Sequence, residues 1–175
     1  MGIFKALPVV VVALAAVGCG SGEPSAPVTQ APVSSSRVVP PPALVVSAGI
    51  VEAGLGHRAS VLTLTNNDAE AHTLNGYPTV RILDGTGKAL DVQVHHGVSY
   101  FSPDPGPKPF TLAPHEKLLS VVSWSATVTS GDTTTGAAVG VVAAPGEAEQ
   151  TVPLETDLGT TGEITVTAWM KDLPK

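Results

Sequence analysis

The chain is 175 residues long, 43% apolar but only 14% charged, with a formal net charge of −6. That length holds one packed domain with accessories. An acidic chain without any Lys/Arg run repels phosphate backbones, which excludes nucleic acid as a partner. Val, Ala, Leu and Thr outnumber the aromatics, and 18 Gly and 16 Pro punctuate the sequence. This is the composition of short strands joined by turns.

Residues 1–18 read "MGIFKALPVVVVALAAVG". Lys5 supplies a charged start, an apolar stretch runs from Ala6 to Val17, and small residues follow. The stretch is well short of the ~20 residues of a membrane-spanning helix, and its layout is that of a secretory signal peptide. Cys19, the only cysteine in the chain, comes next. The run "LAAVGC" resembles the bacterial lipobox, with Ala16 where that motif usually has Leu. The resemblance implies that the Cys19 sulfur receives a diacylglyceryl group and that Cys19 becomes the mature N-terminus. Two acyl chains at ~0.8 kcal/mol per buried CH₂ hold a protein to a bilayer where one does not. The alternative is ordinary signal cleavage and a secreted, soluble product. With no second cysteine, a disulfide within the chain is not this thiol's task.

Residues 19–42 are Pro-, Ser- and Ala-rich and lack an apolar period, so they read as a disordered, lipid-anchored linker. Fully extended at ~3.1 Å per residue, such a spacer reaches roughly 70 Å, beyond the lipid headgroups. Ser and Thr beside its prolines are candidates for O-linked sugars.

From Ala43 to the end, strand signals follow one another. "ALVVSAGIVEA" is the first, and "RASVLTLTNN" puts Leu62 and Leu64 on one face with Thr63 and Thr65 on the other. "TVRILDGTGKALDVQVH" predicts a hairpin: Val80 and Ile82 point inward, "DGTGK" turns, and Leu90, Val92 and Val94 alternate with Asp91, Gln93 and His95. "KLLSVVSWSATV" aligns Leu118, Val122, Trp124, Ala126 and Val128. "AAVGVVAAP" and "QTVPLE" are shorter candidates. "EITVTAWM" aligns Ile164, Val166, Ala168 and Met170. About eight strands without an amphipathic helix predict an all-β fold, an immunoglobulin-like Greek-key β-sandwich over residues 43–175.

The pieces "LVVSAG", "LTNN…TLNGYPTV…DGTGK", "FTLAPHEKLLSVVSW" and "AAVGVVAAPG" stand in an order that resembles the actinobacterial domain of unknown function 4232 of secreted proteins and lipoproteins. "TLNGYPTV" is the most specific piece, and the resemblance covers roughly Ala43 to Trp169. It implies a β-domain outside the cytoplasm and carries no catalytic or ligand residues. His72 stands where members commonly carry a cysteine, and "LAPH" replaces the usual "LAPG".

Gly76-Tyr77-Pro78 reads as a turn into a strand, or as a ligand site built on the Tyr77 ring. The histidines, His57, His72, His95, His96 and His115, have no metal-ligand spacing. His95 and His96 are adjacent, so on a strand they point to opposite faces. No GxSxG, SxxK or P-loop pattern occurs, and Ser99, Ser120, Ser123 and Ser125 sit in strand or loop contexts. Tyr100 and Phe101, before the proline-dense "SPDPGPKPF", form with Tyr77 a candidate interaction edge; the other reading is that they plug one end of the sandwich. No cofactor and no metal is expected.

These readings give a non-catalytic envelope lipoprotein on the outer face of the cytoplasmic membrane, binding or scaffolding an envelope protein or a cell-wall glycan. The alternatives are an extracytoplasmic carrier of a small ligand or metal, and a hydrolase without a familiar motif.

Overall fold

The computed structural model of the chain describes residues 41–174, and every regular element among them is a β-strand. The leader, Cys19 and nearly all of the spacer lie outside the described residues. The first sheet begins with β1 (Leu44–Ala48) and β2 (Glu52–Gly54), which share one side of β3 (His57–Asn66). Ala48 faces Leu62 and Glu52 faces Ala59, so one extra residue bulges out between them. The other side of β3 pairs with β8 (Lys117–Ser125), β8 with β11 (Glu163–Val166), and β11, in parallel, with β6 (Gln93–His96).

The second sheet has the order β10 (Gln150–Asp157), β9 (Thr135–Val142), β5 (Thr79–Leu83), all antiparallel. A ribbon of β4 (His72–Asn75) and β7 (Pro109–Leu112) completes the strands. The chain crosses between sheets from β3 toward β5 and from β8 to β9. The order β1-β3-β8 against β10-β9-β5 is the Greek-key core of an immunoglobulin-like sandwich.

Period-two alternation builds the core between these sheets. Leu62, Leu64, Leu118, Val122, Trp124, Ile164 and Val166 from the first sheet meet Val80, Ile82, Val139, Val141, Val152 and Leu154 from the second. Each such side chain contributes about 1.5–3 kcal/mol on full burial. Polar ties among the described residues also join the sheets. Asp157 of β10 accepts the Trp124 indole N–H at 2.9 Å and lies 3.4 Å from the Arg58 guanidinium. The Gln150 amide accepts from Val46 N–H at 3.0 Å and donates to the Leu44 carbonyl at 2.8 Å, capping the edge of β1. Among the described residues, Thr156 Oγ1 is the one fully buried side-chain polar atom without a partner.

Among the described residues, eleven short strands stand where about eight were expected, and three pattern-based expectations need correction. The hairpin after "DGTGK" closes only at the Leu83–Ala89 bridge and the Leu90 N–H to Ile82 carbonyl bond. The chain then leaves for the other sheet, and Val94 lies 37% exposed as part of edge strand β6. Strand β8 ends at Ser125, and Val128 is 61% exposed in the loop beyond it. Met170 does not align with Ile164 and Val166. Val166 faces Val122, whereas Met170 faces Leu119, so a one-residue bulge turns Met170 to the opposite face and sends Trp169 into the core. Thr167 fills that bulge: its Oγ1 accepts from Val121 N–H and its carbonyl accepts from Ser120 Oγ.

Candidate functional site

The outer face of the first sheet carries the odd-numbered residues of β3, β8 and β11, and it changes character along the strands. At one end, His57 faces Ser125, and in the next row Ala59, Ser123 and Thr165 are neighbours, with His95 of β6 beside Thr165. Glu163 stands beside Gln93 in the row of Ser125. Farther along, Val61 faces Val121 and Thr63 faces Leu119. On this outer face of β8 Val121 and Ser123 are buried, 3% and 6% exposed, and Leu119 is half-buried.

The cover is a strap, residues 97–108, which leaves β6 and lies over the sheet. Ser99 Oγ accepts the Phe101 and Ser102 amides at 3.2 and 3.0 Å, a local turn that sets the aromatic pair. Tyr100 stacks on His57, with centroids 4.7 Å apart and planes 11° from parallel, and meets Phe101 edge-on at 5.3 Å. Both rings pass over Gly54, where a β-carbon would be in ordinary contact with them. Three prolines, Pro103, Pro105 and Pro107, stiffen the return, and Pro109 opens β7.

Asp104 pins that return. Its Oδ2 accepts the Tyr77 hydroxyl at 2.6 Å and its Oδ1 accepts Ala168 N–H at 2.8 Å. The hydrogen bond to Asp104, then burial, holds the Tyr77 phenol above its ordinary pKa. His96 stacks on the Tyr77 ring at 4.1 Å and 2°. Gly76 has φ +88° and the Tyr77–Pro78 bond is trans. The Trp169 amide donates to the Gly76 carbonyl. The GYP stretch is therefore the expected turn and also one jaw of the strap's anchor.

Between the Val98–Tyr100 limb of the strap and the polar rows lies a groove of about 210 Å³. Tyr100 and His57 wall it, and Ser123, Ser125, Glu163 and Thr165 line it. On the other side of the strap, Phe101 and Ser102 border an apolar cleft of about 170 Å³ with Val61, Val121 and Leu173. The interaction edge expected from sequence is thus divided. Tyr100 walls the groove, Phe101 borders the cleft, and Tyr77 serves the Asp104 anchor. The hydroxyls and Glu163 were not singled out as ligand groups by sequence reasoning. Alternation alone signals them, since Ser123 and Ser125 interleave with core residues Val122 and Trp124.

Ser125 and His57, register partners, are the serine–histidine pair of this groove. Ser125 Oγ accepts from Thr127 N–H at 3.2 Å while His57 stacks on Tyr100, and no hydrogen bond joins the two among the described residues. Among the described residues no three His, Cys, Asp or Glu side chains gather as a metal site. His72 makes a 3.1 Å contact with Asp68, and that hydrogen bond, foremost, holds the Asp68 carboxyl below its ordinary pKa. Asp84 is lowered likewise, first by the Thr86 hydroxyl and then by the Lys88 and Thr86 amides, inside the "DGTGK" turn.

No curated protein and no solved structure matches this chain. Residues 39–170 match the family described as a domain of unknown function (DUF4232). The match takes in all eleven strands of the sandwich, and the chain belongs to that family.

Proposed function

We propose that this chain is a non-catalytic lipoprotein of the cell envelope. Cys19 carries the lipid anchor, residues 20–42 are the spacer, and the β-sandwich faces away from the membrane as a binding module. The observation that carries the anchor is a sole cysteine placed directly after a leader of charged start, apolar run and small-residue exit. The binding role draws support from the groove beside Tyr100, where an aromatic ring, hydroxyls and one carboxylate converge without a hydrogen-bonded nucleophile and base.

Intact-mass analysis of membrane and soluble fractions tests the anchor. The wild type is expected in the membrane fraction, starting at Cys19 and heavier by a diacylglyceryl group and its acyl additions. Cys19→Ala is expected to leave that fraction. A wild type found unmodified and wholly secreted, or kept inside the cell with residues 1–18 attached, overturns the reading.

A further inference from the structure

We propose that the groove under the Val98–Tyr100 limb of the strap binds one neutral sugar ring of a glycan. The inference rests on reading the domain as an outward-facing binding module, and it names the class of ligand. Size is the first argument. The groove has a volume of about 210 Å³. It falls below the ~300–1,000 Å³ of sites for drug-sized molecules, so the occupant is a single ring.

Chemistry is the second argument. A pyranose offers a C–H face to an aromatic ring and a rim of hydroxyls to donors and acceptors. His57 occupies one face of Tyr100, which lines the groove and is 57% exposed as a whole residue, an apolar ring with a polar tip. Ser123, Ser125 and Thr165 bring hydroxyls that donate and accept, and Glu163 brings two acceptor oxygens. Ser123 Oγ reaches the Thr165 carbonyl only at 3.5 Å, and His95 Nε2 stands 3.9 Å from Glu163, beyond hydrogen-bond range. Thr165 Oγ1 and the Glu163 carboxylate have no hydrogen-bond partner among the described residues, so their capacity is open to a ligand.

Charge and backbone exclude the competitors. No Lys or Arg lines the groove and Glu163 does, so a uronic or other acidic sugar meets a like charge. An extended peptide cannot add a strand here, because β3, β8 and β11 are paired on both sides where they form the floor. The hydrogen-bonded floor and the wall, set by the Ser99 turn and the His57–Tyr100 stack, hold the groups in place before binding, which lowers the ordering cost. One platform and a few hydrogen bonds correspond to a Kd on the order of 1–10 mM.

The test uses the full chain in a detergent without a sugar headgroup. Amide shifts are followed by ¹⁵N NMR during titration with methyl β-glucoside, methyl β-galactoside and N-acetylglucosamine, and with glucuronate as the charged probe. At least one neutral probe is expected to give saturable shifts at Ser123, Ser125 and Thr165. Tyr100→Ala and Glu163→Gln are each expected to weaken binding at least ~10-fold and to leave the remaining spectrum intact, since both side chains are more than half exposed. Cys19→Ala is expected to bind like wild type, which separates this test from that of the anchor. The proposal is overturned if no neutral probe saturates these amides, if both variants bind unchanged, or if glucuronate binds as tightly as the neutral sugars.

Discussion

The two faces of the first sheet are made by the same strands and obey different rules. The inner face presents Leu62, Leu118, Val122 and Ile164, each at most 1% exposed, to an aliphatic partner sheet. The outer face is half covered by a strap that polar contacts hold: a Ser99-centred turn, two stacked histidine–tyrosine pairs and the Asp104 carboxylate. Burial on one side fixes the fold without specifying a ligand. Directional contacts on the other side cost little stability to change and leave polar groups open toward solvent. The contrast separates the residues that keep the domain folded from those that give it something to bind.

The largest effect belongs to the inner face. Leu62→Ala is expected to cost about 2–5 kcal/mol in equilibrium denaturation, the transfer loss plus a cavity that two packed sheets cannot close. An effect below about 1 kcal/mol would erase the distinction between the faces. Next comes the inter-sheet tie. Asp157→Ala strands the nearly buried Trp124 indole N–H and is expected to cost about 1–3 kcal/mol. Asp157→Asn keeps an acceptor oxygen for that N–H and is expected to cost less. Equal losses in the two variants would place the energy in the half-exposed Arg58 pair, where surface ion pairs seldom put it.

Tyr77→Phe probes the outer face and is expected to cost about 1 kcal/mol, the net worth of one hydrogen bond to a carboxylate still held by Ala168 N–H. It also carries a pH signature. The folded state raises the Tyr77 pKa, so the neutral phenol is favoured on folding. That stability is fully present below the unfolded value near 10, and it is lost as pH rises through the higher folded value. Denaturation at neutral and strongly alkaline pH is expected to show a steeper alkaline loss in wild type than in Tyr77→Phe. Parallel losses would remove the Tyr77–Asp104 bond from the strap's anchor. Asp68 and Asp84, both lowered, act in the acid range with the opposite sign: their contribution is present above the usual carboxylate pKa and lost as pH falls through the depressed values.

Much of the inner face was legible because alternation reports burial directly: Leu62, Leu64, Val80 and Ile82 lie where period two puts them. It failed where a bulge or a sheet change resets the period. The Thr167 bulge turned Met170 over, and the run from Asp91 to His95 kept a hairpin's pattern while its strand joined the other sheet. Both outcomes depend on partners far away in sequence. The groove was harder still to read. His57, Ser123, Glu163 and Tyr100 come from three strands and a loop, and only the register of β3, β8 and β11 brings them together.

The smallest expected effect has the opposite sign and acts away from both faces. In the turn between β7 and β8, the Glu116 amide donates to the Ala113 carbonyl, Pro114 sits second and His115 third with φ +66°. That is the arrangement of a type II turn, whose third position calls for glycine. The sequence has "LAPH" where the resemblance leads one to expect "LAPG". A left-handed backbone costs a residue with a β-carbon about 1–2 kcal/mol, and glycine returns part of this as extra freedom when unfolded. His115→Gly is therefore expected to raise stability by about 0.5–1 kcal/mol, and His115→Ala, which keeps the β-carbon, to give no such gain. The turn lies at the opposite end of β8 from Ser125, so the groove's amide shifts and its response to sugars are expected to stay as in wild type. A stability gain that also altered those shifts would couple the strand ends through the sheet and dissolve the division between fold-keeping and ligand-facing residues.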